Sequence, residues 1–535
     1  MSSIWNKNYT LFKKRFPQLA QLLLVNTEYN EEKALEEAKK LWEISPSKAG
    51  ALTASENGIR LHSAYNPQRE AASSISNSEL ASKETAVFYG FGLGYHVIEC
   101  ARQFPEKKLL IIEPDVNHFF ASLSLLDWSC VFSVEKLIFA LACPPDQIIH
   151  LIEDTSKISL NNEGIRDAVF FDIAPFTAHA QHYFETVRTI IKRNKRKNEI
   201  NAATLKKFGR LWCRNSLTNL KEMTRLSAVS LLEGKTKALD LPFLICGAGP
   251  SLENILPYLK ELSSKCVIVC VETALHALLK AGINPDFIVL TDPQFWAYRH
   301  IAGLSAPESY LITEISAYPS VFRFQCRGIL LCKSQFPIGS WFEEKLKLSL
   351  GNLEAGGSVA SSAWAFANFC GAKEVYTTGL DFSFPRGQTH IKGSSAEQSW
   401  HSFSTRLNSA EKSRSSILYS ASVEKAEDYE EKPVLTDSRM KMFAWWFEAR
   451  LAADSSCKTY SLSTASMKIP GISPASISQL LSKTDITEKK AELRKHLEGA
   501  SPCINLDNKK TFQKLLEGFP SEDFFKSYEF LREYL

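Results

Sequence analysis

The 535-residue sequence contains no apolar run close to the roughly 18 residues that a membrane-spanning helix requires. Its longest apolar runs, such as the one within residues 108–113, have the length of a single strand. The first residues of the chain also lack the apolar segment of a secretory signal. These absences predict a cytoplasmic protein that is not inserted into a membrane.

The chain has little excess charge of either sign, because 63 Lys and Arg oppose 59 Asp and Glu and leave a net charge of +4. A net charge this small argues against a dedicated nucleic-acid-binding protein. The twelve cysteines are scattered, and Cys266 and Cys270 lie in an apolar, strand-like context. We therefore interpret the cysteines as buried small apolar residues rather than metal ligands or disulfide partners.

The length of the chain predicts two to four domains. Strands and helices alternate in two blocks, which predicts an α/β fold with two Rossmann-like parallel-sheet units and helical N- and C-terminal regions. The predicted regions are a mainly helical segment (1–80), a Rossmann-like domain (81–185), a helical connector (186–235), a catalytic domain (236–470) with a mobile insertion (392–434), and a helical C-terminal region (471–535).

The most informative segment joins a predicted strand, residues 243–246, to a predicted helix. Gly247 and Gly249 allow a sharp turn and the close approach of a ligand, and Pro250 and Ser251 suit the first turn of a helix. The N-terminus of a helix is a common phosphate site. The third glycine of the dinucleotide fingerprint is missing, so a phosphate site and a plain strand-to-helix turn both stay open.

Further candidate residues should meet this turn at the carboxyl edge of the second sheet, where open α/β sheets bind ligands. Asp292 ends a strand and could accept a ribose hydroxyl or bind a divalent ion, although one carboxylate is weak support for a metal. Gly357 and Ser358 precede a helix and form a second candidate anion site. Asp381 follows a strand, and could equally cap a turn. His390 lies in a polar loop and suits a general base.

The first block contains a second glycine-rich turn. Gly90, Gly92 and Gly94 separate a strand from a helix, and Glu113 ends the next strand about 20 residues later. This is the layout of a nucleotide-binding Rossmann half, in which the acid can hold a ribose hydroxyl. The alternative is a Rossmann-like scaffold without a ligand, and the sequence leaves both open.

Several of these segments resemble known families. Gly247-Ala-Gly-Pro-Ser-Leu252 resembles a signature of the MptE-like domain and of bacterial family 42 sialyltransferases, and residues 371–382 are similar to a second segment of theirs. Gly387-Gln-Thr-His390 resembles a stretch of the motility-associated factor (Maf) proteins, which are flagellin glycosyltransferases. The Maf resemblance covers roughly residues 80–470, because it also takes in three upstream segments: 91–96, 112–115 and 211–219.

The resemblance implies an inverting, sialyltransferase-like glycosyltransferase. It would move a nonulosonic acid from a CMP-activated donor to Ser or Thr hydroxyls of flagellin and so support flagellum assembly and motility. It further implies that the N–H groups of Gly249, Ser251 and the Ser358 loop hold the leaving group, and that His390, with Asp381 beside it, acts on the acceptor. No further cofactor is expected. A role for Mg²⁺ and the formation of a homo-oligomer are left open.

The chain departs from the sialyltransferase pattern at one position, because Ser383 stands where those enzymes have a phosphate-binding tyrosine. Lys392 or Arg386 could supply charge instead. One alternative is an Mg²⁺-dependent diphosphokinase that transfers diphosphate from ATP to hydroxymethylpterin. Such enzymes are expected to carry a T-D-x-D pair, whereas Gln294 replaces the second acid here. A second alternative is a flagellin-binding factor without catalytic activity.

Overall fold

The computed structural model describes residues 3–24, 29–152, 167–354, 356–420, 422–454 and 456–535. The chain forms two compact units, residues 1–205 and 206–535. Each unit contains its own parallel sheet, so the predicted α/β class with two parallel-sheet units is confirmed.

The first unit is built on four parallel strands in the order β6-β5-β4-β7. Their bounds are Thr85–Tyr89 (β4), Lys108–Glu113 (β5), Leu137–Leu141 (β6) and Ala168–Asp172 (β7). A three-stranded antiparallel sheet precedes them, formed by Glu43–Pro46 (β1), Leu52–Glu56 (β2) and Ile59–Arg60 (β3). All five residues of β4 are buried, as expected for the central strand of a covered parallel sheet.

The helices before residue 80 share their core with this sheet. Trp5 and Phe12 pack against Phe120, with ring centroids 6.3 Å and 6.0 Å away. The predicted helical region 1–80 is therefore part of the first compact unit. The helices of this part of the chain are Ile4–Arg15, Pro17–Leu24, Glu31–Leu41, Pro67–Ser76, Tyr95–Gln103, Val116–Leu125, Ser129–Ser133, Ile148–Ile152 and Ala174–Thr177, followed by the 39-residue helix Gln181–Asn219.

The second unit is built on nine parallel strands in the order β18-β17-β14-β9-β10-β11-β12-β13-β8. Their bounds are Ser227–Ala228 (β8), Phe243–Cys246 (β9), Val267–Val271 (β10), Phe287–Val289 (β11), Ser305–Thr313 (β12), Gln325–Leu331 (β13), Glu374–Thr378 (β14), Lys458–Ser461 (β17) and Ile472–Pro474 (β18). Every residue of β9, β10 and β11 is buried, which explains why these strands are continuous apolar runs in the sequence.

Helices follow most of these strands, and the predicted helices 273–281 and 358–370 are found with shifts of one residue. The helices of this unit are Lys235–Leu239, Leu259–Leu262, Glu272–Lys280, Phe295–Ile301, Pro337–Lys345, Val359–Cys370, Ser395–Ser402, Ala410–Leu418, Ser438–Ala453, Ile477–Leu481, Thr487–Lys495, Leu506–Glu517 and Glu522–Tyr528. Cys246, Cys266 and Cys270 are buried free thiols, as predicted for small apolar residues.

The predicted insertion 392–434 has regular structure in its described residues. It contains two of the helices above and most of an antiparallel hairpin formed by Val423–Glu427 (β15) and Pro433–Asp437 (β16). Its mobility stays a prediction. Among the residues that the structure describes, no helix combines the length and the apolar character needed to cross a bilayer.

Candidate functional site

Two loops cross at the carboxyl edge of the nine-stranded sheet, one after β9 and one after β14. The N–H of Gly247 donates to the carbonyl of Thr378 at 2.8 Å, and the N–H of Gly249 donates to the carbonyl of Gly379 at 2.9 Å. In return, the N–H of Gly379 donates to Ser251 Oγ at 2.8 Å. The structure therefore brings together two of the segments predicted to meet, and backbone hydrogen bonds fix their crossing.

The glycines at this crossing make room for protein atoms. A Cβ on Gly247 would lie 2.4 Å from the carbonyl oxygen of Gly379, and a Cβ on Gly249 would lie 2.3 Å from Asp381 Oδ2. Both distances are far below van der Waals contact. The glycines of this turn are thus explained by the close approach of two loops, whereas the sequence alone suggested the close approach of a ligand.

The backbone N–H groups of this turn donate hydrogen bonds to acceptors of the protein itself. Gly249 donates to Gly379, and the N–H of Ser251 donates to Asp381 Oδ2 at 3.0 Å. The chain continues as the 3-10 helix Pro250–Asn254 instead of the predicted α-helix. The N–H groups of Gly249 and Ser251 therefore have protein acceptors in this conformation, and their contact with a leaving group stays a prediction. Other contacts of Gly247 and Pro250 with a nucleotide stay a prediction.

Asp381 joins three segments of the protein and has no free carboxylate oxygen. Its Oδ2 accepts the N–H of Ser251, its Oδ1 accepts the hydroxyl of Ser466 at 2.6 Å, and its carbonyl accepts the N–H of Met467 at 2.9 Å. The residue is only 3% exposed, and burial raises the pKa of its carboxyl group. In this structure Asp381 positions the crossing loops, and its catalytic role stays a prediction.

We expect Gly249→Ala to destabilise the second unit by about 2–3 kcal/mol, because the new methyl group would overlap Asp381 and force the loops apart. Gly518→Ala is a matched control, since its Cβ would meet its nearest neighbour at an ordinary 3.5 Å. Urea unfolding of both variants measures the difference. Equal stability of the two variants would contradict the packing role assigned to Gly249.

His390 lies in a segment that is fastened over the same edge of the sheet. The next residue, Ile391, donates its N–H to the carbonyl of Ala248 at 2.7 Å, and Lys392 donates its N–H to Glu253 Oε1 at 3.0 Å. The Nδ1 atom of His390 is buried and has no hydrogen-bond partner. Burial lowers the pKa of the imidazole, so the ring is neutral at neutral pH and can accept a proton.

Two further histidines hold the residues that follow His390. His276 Nδ1 lies 3.0 Å from the carbonyl oxygen of Gly393, and His300 Nδ1 contacts the hydroxyl of Ser395. Burial lowers the pKa of His300, and the charge of His390 lowers it further, which places the two imidazoles within electrostatic range of each other. The helices that start after β10 and β11 therefore both contact the His390 segment.

Three carboxyl groups follow neighbouring strands at this edge: the buried Glu272 after β10, the half-buried Asp292 after β11 and the buried Glu314 after β12. Burial raises the pKa of all three, and the charge of Asp292 raises the pKa of Glu272 and of Glu314. The pKa of Glu272 reaches about 8, and its Oε2 has no hydrogen-bond partner. Asp292 Oδ1 accepts the N–H of Gln294 at 2.7 Å.

The Gly357–Ser358 turn leads into the helix Val359–Cys370, as predicted. Gly357 has a left-handed φ of +83°, and Ser358 is the N-cap residue of the helix. The hydroxyl of Ser358 is buried without a hydrogen-bond partner, so it does not cap the helix. An unpaired hydroxyl at a helix N-terminus suits an anionic ligand, and the predicted phosphate contact of Ser358 stays a prediction.

The glycine-rich turn of the first unit is filled by side chains of that unit. A Cβ on Gly90 would lie 2.3 Å from the carbonyl oxygen of Phe176, one on Gly92 would lie 2.6 Å from His62 Nε2, and one on Gly94 would lie 2.5 Å from Trp128.

His62 lies against the glycine-rich turn. The N–H of Leu93 donates to His62 Nε2 at 2.9 Å, and Glu113 Oε1 lies 2.9 Å from His179 Nε2. One amide of the turn and the acid therefore contact protein groups in this conformation, and the second nucleotide site at Gly90, Gly92, Gly94 and Glu113 stays a prediction.

Two family models match the chain. The model described as "Glycosyltransferase Maf N-terminal domain" matches residues 45–137, and the model described as "6-hydroxymethylpterin diphosphokinase MptE-like" matches residues 214–387. The chain carries a Maf N-terminal domain followed by an MptE-like domain. This confirms the resemblance drawn from the sequence.

Proteins of Treponema pallidum (strain Nichols) are similar to parts of this chain. One uncharacterized protein is 35% identical over 233 residues, which is 38% of this chain and 59% of that protein. Another is 28% identical over 267 residues, which is 48% of this chain and 85% of that protein. The chain thus spans less than two thirds of the first of these relatives.

A solved structure of the MAf glycosyltransferase from Magnetospirillum magneticum AMB-1 has the same fold. The TM-score is 0.60 at 16% sequence identity, and the match covers 93% of this chain and 78% of that one. At this identity the comparison establishes the fold.

The MptE-like match includes the crossing loops, Asp292, Ser358 and Asp381, and it ends at residue 387, just before His390. Near its first residue this match also includes Asn215, whose role the sequence alone did not indicate. Asn215 Nδ2 donates to the carbonyls of Pro293 and Ser316, at 2.9 Å and 3.1 Å. These bonds hold the loops that follow β11 and β12.

Sequence reasoning missed Glu272 and Glu314 as site residues. The available signal was an acid placed directly after an apolar strand, as in Val271-Glu272 and Thr313-Glu314. Such an acid is also common in the first turn of a helix, so only the order of the strands in the sheet shows that the two acids flank Asp292.

Proposed function

We propose that this Maf-type chain is an inverting glycosyltransferase that transfers a nonulosonic acid from a CMP-linked donor to Ser or Thr hydroxyls of flagellin. The observation that carries the proposal is the neutral, partly buried imidazole of His390, held over the carboxyl edge of the MptE-like sheet with a free Nδ1. The Maf N-terminal domain supports the choice of flagellin as the acceptor. The proposed reaction takes place in the cytoplasm and needs no cofactor besides the donor.

In the proposed reaction, the imidazole of His390 accepts the proton of the acceptor hydroxyl while the hydroxyl oxygen attacks the anomeric carbon of the sugar. The bond from the anomeric carbon to the phosphate oxygen breaks, and CMP leaves with the bonding electrons. The N-terminus of the helix at Ser358 is the best placed group to receive the phosphate charge, since its hydroxyl has no partner. Asp292 is the candidate acceptor for a ribose hydroxyl.

The residue in the tyrosine position does not take over a phosphate contact. Ser383 is buried, and its hydroxyl donates to the carbonyl of Asp381 at 2.9 Å. Lys392 is the better candidate for the missing positive charge. Its side chain is 71% exposed, and its only close ion pair among the described residues is a 3.6 Å contact with Glu253, so it can turn toward a bound phosphate.

The proposal is tested by the intact mass of flagellin from cells with and without this gene. We expect flagellin to lose mass in multiples of one nonulosonic acid residue when the gene is absent. Purified protein should also show a higher melting temperature with CMP, because a ligand that binds only the folded state stabilises it. Flagellin of unchanged mass would contradict the proposed reaction.

The second candidate is the Mg²⁺-dependent diphosphokinase. Gln294 removes the second acid from the local motif, and Glu272, Asp292 and Glu314, which follow neighbouring strands, do not form a group of converging ligand atoms among the described residues. This candidate therefore requires the carboxylates to draw together around Mg²⁺ and the phosphates. Turnover of ATP and hydroxymethylpterin by the purified chain, without consumption of a CMP-sugar, would select this function.

A flagellin-binding factor without catalysis is the third possibility. It predicts that flagellin is bound but that CMP-sugars are neither hydrolysed nor transferred. Measuring flagellin binding and CMP release in the same preparation separates this outcome from the enzyme.

A further inference from the structure

A cluster of two histidines and three carboxyl groups lies at the carboxyl edge of the four-stranded sheet in the first unit. Glu56 ends β2, Glu113 ends β5, and Asp115 and His118 begin the helix that follows β5. His179 follows β7 in a short 3-10 turn. Glu113 is 1% exposed, His118 is 4% exposed and Glu56 is 9% exposed, so the cluster is screened from solvent.

The donor atoms of this cluster converge. His118 Nε2 lies 3.0 Å from Glu56 Oε1, and His179 Nε2 lies 2.9 Å from Glu113 Oε1. The two imidazole rings are stacked, with centroids 4.1 Å apart and an interplanar angle of 21°. One ligand atom from each of Glu56, His118 and His179 lies within 4.8 Å of the other two.

We propose that Glu56, His118 and His179 bind one divalent transition-metal ion of the Zn²⁺ type in the Maf N-terminal domain. Two donor atoms that are each about 2.1 Å from a shared ion lie about 3.0–3.4 Å apart, which is the spacing of His118 and Glu56. Two imidazoles and one carboxylate are the ligand set of many zinc and non-haem iron sites. Glu113 Oε1 lies 2.9 Å from His179 Nε2 and is outside the group of three converging donor atoms.

The surroundings of these residues support a metal site. Asp115 Oδ2 lies 3.2 Å from His118 Nδ1, on the side of the ring away from Glu56, although the contact lacks the geometry of a hydrogen bond. The N–H of Trp42 donates to the second oxygen of Glu56 at 3.3 Å and orients that carboxylate. Partners of this kind, behind the ligands, orient the ligands of metal sites.

The cluster joins three separate elements of the first unit. Glu56, Glu113 and Asp115 bring three carboxyl groups to the two imidazoles. An ion bound by Glu56, His118 and His179 would link β2, the helix after β5 and the segment after β7.

The proposal is tested with the purified full-length chain after treatment with EDTA. We expect it to bind one equivalent of Zn²⁺, measured by competition with a chromophoric chelator, and to melt at a higher temperature when Zn²⁺ is present. The isosteric variants Glu56→Gln and His179→Gln should bind Zn²⁺ at least tenfold more weakly and lose the thermal shift.

His182→Gln is the matched control, because His182 is an exposed histidine of the same unit. It should bind Zn²⁺ as the unaltered chain does. Circular dichroism shows whether each variant folds. If a variant does not fold, the visible spectrum of the Co²⁺-loaded unaltered chain is measured instead. A site of nitrogen and oxygen ligands lacks the intense thiolate bands of cysteine sites. The absence of saturable one-equivalent binding, thiolate bands in the Co²⁺ spectrum, or unchanged affinity in both ligand variants would each overturn the proposal.

Discussion

His390→Gln should lower the rate constant of sugar transfer by about 10²- to 10⁴-fold, the usual contribution of a general base. Glutamine has similar size and polarity but accepts no proton at neutral pH. The backbone bond from Ile391 to Ala248 fastens the segment independently of the imidazole. CMP binding should therefore survive, so the loss should lie in kcat and leave the CMP-induced thermal shift in place.

His300→Gln is the matched control, because His300 is also a partly buried histidine of lowered pKa near the same segment. Its Nδ1 is already engaged by Ser395, so it is not placed to take a proton from the acceptor. We expect less than a tenfold loss for this variant. Equal losses in the two variants, or an active His390→Gln, would remove His390 from the proposed role.

The dependence of this activity on pH follows from the same burial. A base works only when it is unprotonated, and burial lowers the pKa of His390 below the ordinary value of 6.5. Activity should therefore persist as the pH falls through 6.5 and should decline only at lower pH. A profile of kcat/KM from pH 5 to pH 8 locates this decline, and a midpoint above 6.5 would be inconsistent with His390 as the titrating group.

The fold could be predicted from the sequence because a parallel strand that is buried on both faces is a continuous run of apolar residues. The run 243–246 is apolar throughout and has the predicted bounds in the structure, and the strand 374–378 is aromatic, apolar or β-branched after Glu374. The alternation of such runs with helices determines a parallel sheet. The order of the nine strands could not be predicted in the same way, since it depends on contacts between residues far apart in the chain.

The site was harder to predict because a sequence does not show what fills the space that a glycine leaves. The carboxylate of Asp381 fills the space where a Cβ on Gly249 would lie, and the ring of His62 fills the corresponding space at Gly92. Both positions had been interpreted as room for a ligand. The structural role of Asp381 is hidden for a related reason, since a buried acid that accepts hydrogen bonds from Ser251 and Ser466 has the same sequence context as a catalytic one.

Glu272→Gln should produce the largest change in the pH dependence of stability. The pKa of Glu272 is raised to about 8 by burial and by the charge of Asp292, whereas an unfolded glutamate titrates near 4.5. Between these values the folded chain holds a proton that the unfolded chain has released. The free energy of unfolding therefore falls as the pH rises from about 4.5 to above 8, and linkage puts the cost of this group at about 3 kcal/mol at pH 7.

Glutamine is neutral at every pH, so the variant should lose this component of the pH dependence. Melting temperatures at pH 5, 7 and 9 measure it: the unaltered chain should lose more stability between pH 5 and pH 9 than Glu272→Gln does. Glu308→Gln is the control, because that side chain is 62% exposed and its substitution should leave the pH dependence unchanged. Parallel curves for the unaltered chain and Glu272→Gln would show that Glu272 does not titrate in this range.

The same experiment in the presence of Mg²⁺ weighs the two candidate enzymes against each other. If Glu272, Asp292 and Glu314 hold Mg²⁺, the ion replaces the proton, and Mg²⁺ should stabilise the unaltered chain most at pH 9, where the carboxylates are ionised. That stabilisation should be weaker in Glu272→Gln, which lacks one of the ligands, and it would favour the diphosphokinase. If the chain is instead a metal-independent sugar transferase, Mg²⁺ should leave the stability curves of the unaltered chain and of Glu272→Gln unchanged. CMP should shift both curves, because CMP binding does not depend on the ionised form of Glu272.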